Sequence, residues 1–214
     1  MAVPELLGFQ INHRAMRGEV RRLAGLATEL AAGRQSADAA RTTAIAGFIT
    51  TLSHGIHHHH TMEDQLLWPV IQRSAGAEVD LRDLSDDHSE LDSLLAELND
   101  QAAAFVSTGD ASALAASLTR LADMLDEHIT EEELLIFPII KKYVSVADWK
   151  KVEDAVRKGG SFKDDLPRIE QYARPEELAR LRKLAGPALS VMLVLLRGGH
   201  RRRQRFIFGP LADA

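Results

Sequence analysis

Two stretches of this chain repeat each other: HHTMEDQLLWPVI from His59 and HITEEELLIFPII from His128. Each sets a Glu four residues after its His and a Pro six residues after that Glu, giving His59, Glu63, Pro69 and His128, Glu132, Pro138. Upstream, Asn12-His13 and Asp87-His88 make the same relation once more. A chain built this way reads as two helical hairpins, each bringing one His from its first helix and a His/Glu pair from its second.

The apolar residues fix where these groups point. The second and fourth segments run Ile45, Ile49, Leu52, Ile56, His59, Glu63, Leu66, Val70 and Leu114, Leu118, Leu121, Leu125, His128, Glu132, Leu135, Ile139. The first and third run Leu6, Phe9, His13, Met16, Val20, Leu23 and Leu81, Leu84, His88, Leu91, Leu95, Leu98. Steps of three and four mark the inward stripe of a bundle helix, so four His and two Glu are expected on the core-facing seams. With a rise of about 1.5 Å per residue and an up-down-up-down course, all six fall at one level of the bundle. A buried carboxylate without a partner is strongly disfavoured, and a shared cation is the partner these residue types suit.

Short links at Gly33 to Ala37, Ser74 to Asp80 and Thr108 to Asp110 imply antiparallel neighbours. Pro69 and Pro138 are each expected to kink or end a helix a turn or two past the Glu. Residues 1–140 carry 9 Arg and no Lys against 22 Asp and Glu, net −13, whereas residues 141–214 carry 17 basic against 9 acidic, net +8. That break places a four-helix bundle over 1–143 and a basic helical extension over 144–214. In the extension, Ser145 with Asp148 reads as a capping box for a helix stopping at Gly159-Gly160, Pro175 starts another, and Gly186-Pro187 interrupts it. The absence of Cys excludes disulfides, thiolate zinc sites and iron–sulfur ligation. With no signal-like start and no apolar run approaching a membrane span, a cytoplasmic location is the expectation.

An imidazole binds one metal terminally, while a carboxylate has two oxygens and can bridge two. Four His and two bridging Glu would give each of two ions two nitrogens and two oxygens, with an oxo or hydroxo bridge adding a fifth ligand. Such surroundings suit iron, with manganese or zinc as substitutes.

This pattern resembles the haemerythrin-like family, the HHE cation-binding domain, over roughly residues 4 to 143. A ferritin-like site would instead need Glu-x-x-His with a step of three. The resemblance implies metal ligands at His13, His59, Glu63, His88, His128 and Glu132, and O2, H2O2 or NO as the small molecules bound. It also implies a non-haem diiron protein, with catalase-like or peroxidase-like breakdown of peroxide as the leading enzymatic reading and no acid or base that can be named. Oxygen carriers of the family have a second His four residues after the third-helix His, where this chain has Asp92. That departure weighs against reversible oxygen transport.

The competing reading is a sensor of iron, oxygen or redox state that signals through its extension, and a third is a metal-independent interaction bundle. Asp92 is read as a solvated flank residue, and His57, His58 and His60 as surface or rim residues outside the seam. The RGGHRRRQRF stretch is read as a charged helix face against the acidic bundle rather than a nucleic-acid site. ALSVMLVLL is read as a packing stripe toward the bundle or a second copy of the chain, which leaves a homo-oligomer open.

Overall fold

The computed structural model describes residues 2–159 and 161–212. The first helix, α1 (Leu7–Ala31), is followed by α2 (Ala39–Met62), which continues through a π-helical turn (Glu63–Leu67) into α3 (Trp68–Ala75). Then come α4 (Arg82–Thr108) and α5 (Ser112–Tyr143), and after them α6 (Val146–Gly159), α7 (Phe162–Tyr172), α8 (Pro175–Ala185) and α9 (Pro187–Phe208). No strand occurs among the described residues, and no helix there is long and apolar enough to cross a membrane.

Local chemistry sets the helix ends. The Asp38 carboxylate accepts the Arg41 N–H at 2.8 Å to start α2. At the same end of the bundle Gly109, at φ 75°, turns the chain out of α4 in a left-handed conformation that a side chain would strain. The links are short, so the first four helical rods run up, down, up, down, with α1 against α5, α2 against α4, and α4 against α5.

The two prolines behave differently from each other. Pro69 sits in the first turn of α3, and the ladder before it loosens into the π turn, where Trp68 N–H bonds to the Glu63 carbonyl five residues back. Pro138 lies inside α5, which runs on to Tyr143 without a break.

Two apolar clusters form the core. One contains Met16, Leu23, Ile49, Ile56, Leu91, Leu98, Leu118 and Leu125, and the other Leu6, Leu67, Trp68, Ile71, Leu84, Ile136 and Phe137. Along every rod the candidate His and Glu residues fall between the two clusters.

The extension covers more of the bundle than its end. Trp149 and Val152 of α6 join the second cluster, and Trp149 Nε1 donates to the Glu5 carbonyl at 2.9 Å. From there α7 packs along α1, where the Tyr172 ring fills the space a Cβ on Gly18 would need. Helix α9 reaches the far end, where Phe208 and Ile207 enter the first cluster, Phe208 meets Phe48 edge-on at 5.7 Å, and Arg41 donates to the Ile207 carbonyl. Ser145 does cap α6, its hydroxyl accepting the Asp148 N–H at 3.1 Å, although the Asp148 carboxylate accepts from that hydroxyl instead of closing the expected box on the backbone, and α8 and α9 divide at Gly186. Helix α7 opens after Ser161, which stands to Asp164 as Ser145 does to Asp148, and α9 runs unbroken through Gly198-Gly199. Gly160 lies outside the described residues.

Docking of α7 buries Glu19 beneath Arg168, at 3.5 Å. Burial pushes the Glu19 carboxyl up to about 6, against the pull of Arg168, Arg22 and Arg203. A folded-state value above the ordinary 4.5 means that ionisation opposes folding, so stability falls as pH rises from about 4.5 through 6. Glu19→Gln is therefore expected to stabilise the protein at pH 7 by up to about 2 kcal/mol and to change little at pH 4. Urea unfolding at the two pH values measures the difference.

Candidate metal centre

Between the two apolar clusters lies a buried polar layer of His13 on α1, His59, His60 and Glu63 on the α2 rod, His88 on α4, and His128 and Glu132 on α5. All are buried, and their side chains form two groups whose potential ligand atoms lie within 4.8 Å of one another. One is His13, His59, Glu63 and Glu132; the other is His60, Glu63, His88 and His128. Glu63 belongs to both.

In the first group His59 Nε2 is 2.9 Å from Glu63 Oε1 and 2.9 Å from His13 Nε2, and His13 Nε2 is 3.3 Å from Glu132 Oε2. In the second His88 Nε2 is 3.5 Å from Glu63 Oε2, and the His60 ring stacks on His88 at 4.4 Å between centroids. Phe9 and Phe137 flank His13, and the Trp68 ring stacks at 6.0 Å on His88.

An outer ring of polar groups obeys the internal repeat. His13 Nδ1 donates to Glu133 Oε1 at 2.9 Å, and His88 Nδ1 lies 3.1 Å from Asp64 Oδ2; each acceptor directly follows a core Glu. His128 Nδ1 donates to Asp87 Oδ2 at 3.2 Å, and His59 Nδ1 faces Asn12 Nδ2 at 3.4 Å; each of these partners directly precedes a core His. A ring held by its Nδ1–H turns the Nε2 lone pair inward, which is the arrangement of a metal-ligating imidazole.

A model of the Hemerythrin HHE cation binding domain matches residues 10–140. The chain belongs to that family. No curated protein and no solved structure matches it significantly. The family's cation-binding function thus meets a His/Glu cluster suited to metal.

Whether this HHE domain's own residues fit a cation is decided by their unmet polar atoms. Both oxygens of Glu63 and of Glu132, both ring nitrogens of His60 and of His88, and Nε2 of His128 have no hydrogen-bond partner. Each such buried group costs on the order of 1–3 kcal/mol if left unmet, so these five side chains converging here would be costly without a cation. Residues of these types fit one.

The electrostatics agree. Burial holds His59 and His60 below the ordinary imidazole value, His60 well below it. Burial, reinforced by His88, brings His128 down to about 4, so these rings are neutral and their lone pairs available. Glu63 feels the penalty of burial, but the rings of His59, His13 and His60 outweigh it and keep the carboxyl well below its usual range. Glu132 is pushed the other way, by burial and then by the neighbouring Glu63 charge. Burial also opposes a charge on His13, yet Glu132, Glu133 and Glu63 lift it to about 10, so a proton there offsets part of the carboxylate charge when no cation does.

His60 corrects the sequence reading, which put it at the surface. It is 1 % exposed and sits in the second group. A strict 3,4 seam is narrower than the arc a four-helix bundle buries: His60 follows Ile56 by four and precedes Glu63 by three, as Ile129, also fully buried, does between Leu125 and Glu132. With His60 included, the groups offer three nitrogens and one oxygen, and two nitrogens and two oxygens, instead of two and two at each. Glu132 enters only one of them.

Beyond the layer the stripe also shifts by one residue. Leu67, Trp68 and Ile71 are buried beside the expected Val70 while Leu66 is only partly buried, and Ile136 and Ile140 are more deeply buried than Leu135 and Ile139. The π turn rotates the first rod, and the drift of 3.6 residues per turn against a 3.5 repeat rotates the second. His57 does lie outside, pairing its Nδ1 with Asp92 at 2.9 Å on the surface, and neither belongs to a group. His60→Leu should weaken metal at the second position by more than the roughly 10- to 100-fold that loss of an outer partner costs. Equilibrium dialysis against iron gives the number, and unchanged occupancy would assign His60 to packing alone.

Proposed function

We propose that this HHE domain is a non-haem diiron protein that binds O2 or peroxide, with catalase-like breakdown of peroxide as its reaction. The observation that carries the reading is the sharing of Glu63 by two adjoining groups, since one carboxylate between two cation positions is how a pair of ions is held at short range. The ligands would be His13, His59, Glu63 and Glu132 for one ion and His60, Glu63, His88 and His128 for the other.

Iron bound there would supply one-electron steps and an open coordination position for a small oxidant. The chain's own residues provide the rest. Glu133 and Asp87 orient His13 and His128 from outside, Asp64 lies 3.1 Å from His88 Nδ1, and Phe9, Phe137, Trp68 and Trp149 form the apolar wall that keeps bulk water from the layer.

The test is metal analysis of protein produced with iron supplied, followed by titration with peroxide. Two irons per chain and rapid oxygen evolution at that stoichiometry are expected. Iron-free protein, or a loaded site inert to peroxide, would defeat the reading. A sensor is the second reading, and one contact favours it: Arg168 of the extension reaches Asn12, which touches His59.

A further inference from the structure

The outer ring breaks its own repeat at one place. Three of the rings in the layer have a carboxylate beside Nδ1, but His59 has the amide of Asn12, the counterpart of Asp87 in the second half. Arg168 fixes which way that amide points. A guanidinium can only donate, and its Nη2 lies 2.5 Å from Asn12 Oδ1, so the amide nitrogen is the end that faces His59. The amide nitrogen also only donates, and His59 Nδ1 must accept. His59 Nε2 lies 2.9 Å from Glu63 Oε1 and 2.9 Å from His13 Nε2, on the side of the ring that faces the layer. A ring can offer Nε2 to a cation only with its proton on Nδ1.

We infer that Asn12 and Arg168 set the two metal positions apart: the position of His13, His59, Glu63 and Glu132 takes its ion more weakly, and filling it turns the Asn12 amide away from Arg168 and loosens the hold of α7 on α1. The inference rests on the diiron reading above and adds positioning residues to it. For His59 to ligate, its Nδ1–H needs an acceptor, and Asn12 Oδ1 can supply one once it leaves Arg168. Arg168 is also the residue by which α7 covers Glu19, and Tyr172, four residues on, is the ring seated on Gly18. Ion entry and α7 docking therefore oppose each other, and the coupling is reciprocal: whatever undocks α7 tightens the ion.

The experiment is anaerobic titration of the full chain with Fe(II) by calorimetry, with hydrogen exchange of residues 162–172 followed alongside. The wild type should bind two equivalents of separated affinity, and exchange in α7 should rise between the first and the second. Asn12→Asp is nearly isosteric and gives one carboxylate that can accept from both His59 and Arg168. It should tighten the weaker equivalent by on the order of tenfold. Arg168→Met, which frees the amide to turn, should tighten it as well, and should abolish the metal-dependent change in exchange. Two equivalents of equal affinity, or a weaker one that neither variant moves, would overturn the inference while leaving the diiron reading in place. A wild type that binds no iron at all would overturn both.

Discussion

Glu63→Ala is expected to empty both metal positions, whereas Glu132→Ala is expected to empty one. Glu63 has an oxygen toward each group, 2.9 Å from His59 and 3.5 Å from His88, while Glu132 belongs only to the group of His13 and His59. Removing a shared carboxylate takes a ligand and a negative charge from both ions at once, and ligand charge is what lets two cations sit side by side. Inductively coupled plasma analysis after dialysis distinguishes the outcomes: near zero iron for Glu63→Ala, near one per chain for Glu132→Ala. Both variants should keep their helical circular dichroism, since each removes a buried polar group from a layer bounded by packed apolar clusters. Equal losses in the two variants would mean that Glu132 also reaches the second ion; full retention in Glu63→Ala would end the shared-carboxylate assignment.

Stripping the metal is expected to lower the melting temperature on the order of 10 °C, because an ion bound about a thousandfold above its dissociation constant stabilises by about 4 kcal/mol. Without it the unmet oxygens of Glu63 and Glu132 and the nitrogens of His60 and His88 stay buried together. Differential scanning calorimetry of chelated and reloaded protein reads the difference. Coincident melting of the two forms would rule out these residues as a buried cation site.

Much of this was legible in the sequence because the information is local. The step from His59 to Glu63, repeated at His128 to Glu132, spans one helical turn, over which a 3,4 pattern and a true helix stay in phase; it brought the family, the bundle and the layer into view. Within the turn after each Glu the phases part, and so Leu66 and Leu135 were placed where Leu67 and Ile136 are buried. His60 was lost to a related simplification, a seam drawn one residue wide. The outer partners had a signal that could have been used: Asp64 and Glu133 follow the core Glu residues, and Asn12 and Asp87 precede the core His residues. The course of α7 and α9 had none, since the contacts of Arg168 with Asn12 and of Arg41 with the Ile207 carbonyl join residues more than 150 positions apart.

The polar layer also has a consequence for how the molecule comes apart. Dispersion contacts cannot run unbroken from one end of the bundle to the other, because each rod passes through a stratum of imidazole and carboxylate. The two apolar clusters are thereby cooperative units of their own, joined by helices but not by a common oil-like interior. The lower one is clamped at the far end by Ile207 and Phe208, and the upper one closes over Leu6 and Trp149. Amides beside Leu23, Ile49, Leu98 and Leu118 should then exchange at the slow, global rate, while those beside Leu84, Ile136 and Trp149 open sooner. Breathing of this kind would give a cation in the layer a route in and out that leaves the rest of the fold standing.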